Sequence, residues 1–421
     1  MSWPEVKPPW KHVTWLSWPD TESWISSPKT QWSEEKLEST VTELDELKLA
    51  IETLDKAGEW EILKRTSNPY ELVFSQTQDK RIPQSVSSIK PLSRSFFKMI
   101  EILHVLDFFK RFNGKKIKSA HVCEGPGGFI EAVLYLSKKN SVTIEESYAM
   151  TLRPTKSNIP GWKRAYNFLK NYPVVKIEYG ADNTGDILVP LNQGAFLERT
   201  RNRCHIFTAD GGFDFSEHYG TQEEEVLPLL ISSALIGLQT LVKGGDFVLK
   251  IFDMETKSTT DLIALLSFCF ESWTLYKPSL SRPCNAEKYF LGRNCKVVPG
   301  WILKTFVEIR NAYACGFKHM ISIFPSLPQK ISSSIDVFKK EYYEQQVGAL
   351  KYAIEHKEEW NSDFITKWKE IQENSIFWCR FFQIPMRQLS LTSTKVNKEK
   401  TILWSQVVAS HTHLEDVAPP E

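Results

Sequence analysis

The stretch from Cys123 to Phe129, CEGPGGF, follows an apolar strand-like run, Ile117 to Val122, and opens into a helix-like run, Ile130 to Leu136. Strand, glycine turn and helix in that order is how an α/β sheet builds a ligand crevice at the carboxyl end of its first strand. Gly125, Gly127 and Gly128 let the backbone turn sharply and approach a ligand with no side chains in the way. Pro126 stiffens the turn. The spacing is not G-x-G-x-x-G, which argues against a dinucleotide. Glu124 would sit badly beside a pyrophosphate but tolerably beside an amino group such as that of S-adenosylmethionine. Taken alone, the stretch reads equally well as a tight strand-to-helix connection.

The rest of the middle of the chain alternates in the same way. An amphipathic helix, about Ser93 to Phe109, precedes the turn and carries Lys98 in its first turns. After the turn, strands are expected at Glu146 to Leu152, Val174 to Tyr179, Cys204 to Ala209, Asp246 to Phe252, Trp273 to Lys277 and around Tyr289 to Leu291. Helices are expected at Val226 to Val242 and Leu262 to Phe270. This alternation implies a mostly parallel sheet covered on both faces. Ligands of such sheets lie past the carboxyl ends of the strands, where the turn, Asp210 and Lys250 all point. Val226 to Val242 is apolar enough to resemble a membrane span, but Ser232, Ser233 and Gln239 interrupt it, and Glu223 to Glu225 suit a helix N-terminus. A buried helix is the reading, with no membrane partner.

At 421 residues the chain can bury a full core with one or two appendages. Lys+Arg 52 against Asp+Glu 51 leaves no polybasic coat, so any nucleic-acid contact must be local. Seven scattered cysteines without a C-x-x-C pair fit a reducing compartment and argue against a disulfide framework and a structural zinc. The histidines show no ligand spacing, and no basic-then-apolar leader opens the sequence. Trp3, Trp10, Trp15, Trp18, Trp24 and Trp32, interspersed with prolines, exclude a long helix at the start. They read as an extended arm whose indoles plug grooves on the main domain; stacking on a base or a cap is the alternative. Leu37, Val41, Leu44, Leu47, Ile51 and Leu54 then follow helical spacing. The expected division is residues 1–84 as an arm plus helical accessory region, 85–316 as the α/β domain, 317–388 as a helical extension, and 389–421 as a flexible tail with Trp404 as a candidate anchor.

Each charged residue has an ordinary explanation when taken singly: Lys98 as a solvated helix lysine, Asp210 as an N-cap, Glu287 as a surface acid. Lys250 is harder to dismiss, because a lysine inside an apolar strand is costly unless it is paired or used.

Together they resemble a known family. Lys98, Asp210 in TADGGFDF, Lys250 in GGDFVLKIFDM and Glu287 in SRPCNAEKY, with CEGPGGF, YAMTLRP and YGADNTGDI between them, resemble the FtsJ-like RNA 2′-O-ribose methyltransferases. Among these the resemblance is closer to the cap-specific mRNA nucleoside-2′-O-methyltransferases. It implies a Rossmann-like S-adenosylmethionine-dependent sheet with helical N- and C-terminal extensions, and a Lys-Asp-Lys-Glu tetrad. It further implies that Cys123, Glu124, Gly125, Pro126, Gly127, Gly128 and Phe129 cradle the methionine and ribose parts of the cofactor. Asp186 and Ile187 would border the adenine, Asp210 would face both cofactor and ribose, and Asn285 and Arg153 would touch the RNA. Ser93 stands where such enzymes often carry an Asn, so that contact is not carried over. YGADNTGDI is similar to the form that acts on the second transcribed nucleotide, SRPCN to the form that acts on the first.

A ribose 2′-hydroxyl is a weak acid that must lose its proton as it attacks an electrophilic methyl group. Lys250 is the candidate base or proton-steering group, its pKa lowered by desolvation and Lys98 and raised by Asp210 and Glu287. No metal is needed, since the cofactor carries its own leaving group. Arg153, Lys156, Lys163 and Arg164, and Arg199, Arg201 and Arg203, are expected to line the approach of RNA or to be ordinary solvated loops. The implied partners are the 5′ end of capped mRNA and other capping or transcription proteins, in the nucleus, or in the cytoplasm for a viral enzyme. Alternatives are a ribosomal- or transfer-RNA methyltransferase, a non-catalytic cap- or RNA-binding subunit, and last a small-molecule methyltransferase.

Overall fold

The computed structural model describes residues 8–18, 28–35, 41–76, 82–155, 161–212, 222–357 and 364–388. Trp3, Trp24, Leu37, Lys156 and Trp404, and the tail from Leu389, lie outside them. The N-terminal part holds β1 (Gln31–Ser33), α1 (Glu43–Lys56) and α2 (Trp60–Thr66). Thr42 caps α1 through a reciprocal box with Asp45, which fixes its start. Val41, expected inside this helix, therefore lies ahead of the cap and is 73% exposed.

The central part begins with α3 (Ser95–Val105) and the short α4 (Phe108–Arg111), split where Asp107 adopts a left-handed backbone. It continues through β2 (Lys116–Val122), α5 (Gly128–Lys139), β3 (Thr143–Met150), α6 (Tyr166–Asn171), β4 (Val175–Glu178), α7 (Pro190–Thr200) and β5 (Cys204–Ala209). Next come α8 (Gln222–Thr240), β6 (Leu241–Ile251), α9 (Lys257–Phe268), β7 (Phe270–Tyr276), β8 (Lys288–Cys295) and α10 (Gly300–Ala314). The chain then adds β9 (His319–Ser322), α11 (Gln329–Glu355) and α12 (Phe364–Phe381).

Strands β2 to β8 form one seven-stranded sheet in the order β4-β3-β2-β5-β6-β8-β7. Only β8 runs against the others, pairing antiparallel with both β6 and β7. The connection from Tyr276 to Lys288 is short for the helical crossover that a parallel neighbour demands, so the chain returns directly. Strand order reverses between β2 and β5, where Val122 pairs with Ala209, so Cys123 and Asp210 leave the sheet side by side. That is the topological switch point at which open α/β sheets bind ligands. Two features lie beyond the expected elements: α10, whose buried Ile302, Phe306 and Ile309 follow helical spacing, and a second small sheet of β1 with β9.

Apolar cores fill both faces, one around α3, α5 and Trp378 of α12, the other around α8, α9 and α10. The arm contributes to each. Trp10 is buried against Tyr70 and Phe382 on one face, Trp18 on the other, and Trp15 lies under Arg293 at 4.1 Å. Leu16 exchanges backbone hydrogen bonds with Trp273 and so covers the free edge of β7. Helix α11 reaches both cores, through Ile335 and Phe338 in one and Leu350 in the other. Among the described residues no helix is long and apolar enough to cross a membrane.

Candidate active site

Register brings the charged residues together. Ala209 pairs with Leu249 and Lys250 with Tyr289, so Asp210, Lys250 and Tyr289 form a row across three strands at the carboxyl edge. Lys250 Nζ donates to the Asp210 backbone oxygen at 2.7 Å and lies 3.3 Å from Asp210 Oδ1. Lys98 reaches in from α3 and its Nζ donates to Glu287 Oε1 at 2.5 Å. Tyr289 joins the two pairs, its hydroxyl lying 2.8 Å from Asp210 Oδ1 and 3.3 Å from Glu287 Oε1. Tyr289 was not among the residues expected at the site, because a tyrosine in an apolar strand reads as core. Its one signal is position: Glu287 and Tyr289, two apart at the start of β8, share a face.

Burial works against the charge on Lys250, but Asp210 and Glu287 outweigh it and raise its pKa above the ordinary lysine value. Of the opposing effects expected from the sequence, the two acids win, which favours the ammonium form of Lys250. Burial would likewise raise Glu287, yet Lys98 and Lys250 overcome it and hold the carboxyl well below the usual range. Burial, then Asp210 and Glu287, push the Tyr289 phenol well up, so it stays a donor.

The glycine turn lies beside this cluster. Cys123 has φ 58° and Gly127 φ 108°, left-handed geometry that reverses the chain between β2 and α5. A Cβ on Gly128 would lie 2.3 Å from the hydroxyls of Ser93 and Ser95, so only glycine lets α5 start this close to α3. Burial, followed by Glu124 and Asp186, pushes the Cys123 thiol up to about 12 and keeps it neutral. Phe129 is buried with its ring 5.8 Å from that of Tyr289, leaving its backbone rather than its side chain for a ligand. Glu124 is buried and takes a hydrogen bond from Thr208 on Oε1, while Oε2 accepts none, with His121 Nδ1 3.3 Å away. Across the crevice, Asp186 is half-buried and caps Leu188 N at 2.8 Å, and Ile187 is buried. Asn192 pins this loop by donating to Asp182 Oδ1 and the Asp186 oxygen.

On the other flank, Lys277 Nζ donates to the Asn285 oxygen at 2.6 Å, Asn285 Oδ1 at 2.9 Å and the Glu287 oxygen at 2.9 Å. It was also missed, though it sits where β7 ends at the same edge. A cavity of about 240 Å³ adjoins Asn285, walled by Tyr70, Lys277, Lys288 and Tyr342 among others. Arg153 is exposed and stacks on Tyr179 at 4.1 Å, near the crevice. Lys163 and Arg164 are exposed. In the other basic group all three arginines are exposed: Arg199 pairs with Glu178 at the carboxyl end of β4, while Arg201, which donates to Gln239, and Arg203, whose N donates to the Thr240 oxygen, lie at the amino ends of β5 and β6, away from the crevice. Among the described residues no His, Cys, Asp or Glu cluster could hold a metal.

Residues 91–295 match the family described as FtsJ-like methyltransferase. The chain carries an FtsJ-like methyltransferase domain. A cap-specific mRNA (nucleoside-2′-O-)-methyltransferase 1 from Xenopus laevis is 33% identical over 278 residues, 62% of this chain and 30% of that protein. Its Homo sapiens counterpart is 31% identical over 237 residues, 55% of this chain and 28% of the relative. A cap-specific mRNA (nucleoside-2′-O-)-methyltransferase 2 from Danio rerio is 32% identical over 215 residues, 49% and 29%. The chain thus spans less than a third of the length of these relatives. The FtsJ-like domain contains every residue of the Lys-Asp-Lys-Glu cluster and the glycine turn.

Proposed function

We propose that the protein transfers a methyl group from S-adenosylmethionine to a ribose 2′-hydroxyl at the first or second transcribed nucleotide of m7G-capped mRNA. The observation that carries this reading is the convergence of Lys98, Asp210, Lys250 and Glu287 on one point of the carboxyl edge, next to the glycine turn. A recognition subunit has no need of two lysines and two acids interlocked beside a cofactor crevice. The names of the relatives supply the substrate class: capped mRNA and the ribose hydroxyl.

The crevice fits the cofactor. Its walls come as close as a missing Cβ allows, since one on Gly211 would lie 2.9 Å from Cys123 Cβ and one on Gly212 3.0 Å from Phe252. Cys123 to Gly128 would hold the methionine and ribose end, and Asp186 and Ile187 the adenine. When bound, S-adenosylmethionine supplies a methyl carbon on a positively charged sulfur.

Lys250 Nζ would hydrogen-bond the attacking 2′-oxygen and, as the neutral amine, take its proton. Asp210 and Tyr289 fix where that nitrogen points, and Lys98 with Glu287 fixes Tyr289 from the other side. This alignment matters because the oxygen must approach along the line of the bond being broken. Asn285, held by Lys277, would orient the ribose, and Arg153 a phosphate. Acting on mRNA, the enzyme would work inside the cell.

The test is methyl transfer from labelled S-adenosylmethionine to matched short RNAs carrying a triphosphate, an unmethylated cap or an m7G cap, with mass mapping of the product. Transfer to the m7G-capped RNA alone is expected, and the mapped position decides between first and second nucleotide. Equal transfer to uncapped RNA would make it an enzyme of another RNA class; none, with cofactor bound, would make it a binding subunit.

A further inference from the structure

The loop from Pro278 to Glu287, which carries Asn285 and Glu287, is held mostly from outside. Glu71, in the N-terminal region ahead of the FtsJ-like domain, is fully buried and gathers three arginines. Arg282 grips it with both edges of its guanidinium, Nε to Oε2 at 3.2 Å and NH2 to Oε1 at 2.9 Å. Arg94 NH2 lies 2.9 Å from Oε2 while its Nε donates to the Leu280 oxygen at 3.1 Å. Arg65 reaches Oε1 at 3.4 Å, and among the described residues the other hydrogen-bond partners of its side chain are Glu61, Ser75 and Gln76. Two of the three arginines therefore tie the acid to the loop, and one does not.

From there the path to the site is short. The Arg282 oxygen accepts from Asn285 N at 3.1 Å, and Glu287 follows two residues later. Ser67, also in the N-terminal region, meets Cys284 Sγ at 3.2 Å. A planar fork on a carboxylate fixes both direction and rotation, which a lysine or an apolar contact would not.

We propose that Glu71 is a positioning residue: through Arg282 it sets the loop that presents Asn285 and Glu287, so that the region ahead of the FtsJ-like domain completes the substrate side of the site. This rests on the methyl-transfer reading above. It makes Arg282 a brace directed away from the RNA rather than an RNA contact.

The test compares Arg282→Met with Arg65→Met in the full chain. Each removes one arginine from Glu71, but only the first releases the loop. Arg282→Met is expected to lower kcat at saturating capped RNA and cofactor by about tenfold or more with S-adenosylmethionine affinity within about twofold, and Arg65→Met to leave kcat within about twofold. Hydrogen exchange should rise in residues 279–287 of Arg282→Met, not in 123–129, and in neither stretch of Arg65→Met. Glu71→Gln, if it folds, should follow Arg282→Met in both readouts. Equal effects of the two arginine substitutions, or no change in loop exchange with Arg282→Met, would overturn the proposal. The exchange measurement is independent of turnover, so a wild-type protein that methylates no ribose would sink the proposed reaction while this brace is still judged.

Discussion

Two neighbouring stretches of the carboxyl edge are built by opposite means. The turn from Cys123 to Phe129 owes its shape to residues adjacent in sequence: a strand end, left-handed backbone at Cys123 and Gly127, and a helix that starts at Gly128. The loop from Pro278 to Glu287 owes its shape to distant ones. Glu101 accepts from Ser279 N at 2.9 Å and from its hydroxyl, Arg94 holds Leu280, Glu71 holds Arg282, and Gln346 of α11 donates to the Cys284 oxygen at 3.3 Å. The cofactor side is therefore portable, a property of the sheet itself, and the substrate side draws on α3 within the FtsJ-like domain (Arg94, Glu101) and on the regions flanking it (Glu71, Gln346). Between them stands the Lys250 row, where the two sides meet.

Substitutions should separate the three. Lys250→Ala is expected to have the largest effect, a loss of ~10²- to 10⁴-fold in kcat, the range general-base assistance supplies. Because Lys250 Nζ hydrogen-bonds Asp210 rather than the adjacent glycine turn, S-adenosylmethionine affinity measured by calorimetry should stay within about twofold. A comparable loss in affinity would mean the row belongs to the cofactor side. The pH profile sharpens the same point. With its pKa raised, Lys250 is charged at neutral pH and only its neutral fraction can accept a proton, so log kcat/KM should climb with a slope near one between about pH 7 and 9. A flat profile would leave Lys250 an orienting cation. No acid-side loss should come from Glu287 above about pH 5, since Lys98 and Lys250 keep it ionised despite burial.

Tyr289→Phe comes next. It removes the one hydroxyl proton that Tyr289 directs at Asp210 Oδ1, 2.8 Å away, with Glu287 Oε1 at 3.3 Å as the second, weaker acceptor; a hydrogen bond to a charged group of this type is worth about 1.5–3 kcal/mol. If Tyr289 aligns Asp210 with Glu287, kcat should fall by ~10- to 100-fold in single-turnover assays while the folded state persists. An unchanged kcat would mean that each Lys–acid pair holds its place alone.

How far the sequence shows this arrangement depends on how local the cause is. β5 matches its apolar run end to end, and β2 and α5 come within a few residues, because burial pattern and turn chemistry are written in neighbouring residues. The four charged residues of the site are legible through the family resemblance, not through spacing, since helix α3 and three strands must be folded before they meet. The antiparallel course of β8 has a signal in the short link from Tyr276 to Lys288. The brace from Glu71 to Arg282 has none: two charged residues two hundred positions apart look like solvated surface until the loop is folded over them. The same holds for β1 and β9, which are too short to show a period.

Gly185→Ala tests the portable side by itself. Gly185 has φ +71° and a Cβ there would lie 2.0 Å from the Thr151 oxygen, a backbone atom that cannot turn away. The loop carrying Asp186 and Ile187 must shift, at a cost of about 1–3 kcal/mol for the strained backbone. Its other anchors include Asn192 on Asp182 and on the Asp186 oxygen, Gln193 on the Ile187 oxygen, and Arg153 N on the Thr184 oxygen, so the shift reaches no further than the end of β3 and the start of α7. S-adenosylmethionine binding should weaken by ~10-fold, the equivalent of about 1.4 kcal/mol. The KM for capped RNA should change far less, and only through Arg153, whose N–H donates to the Thr184 oxygen and whose guanidinium lies on Tyr179. If RNA affinity fell in step, the two sides would share a support that their separate contacts do not reveal, and the division at Lys250 would have to be withdrawn.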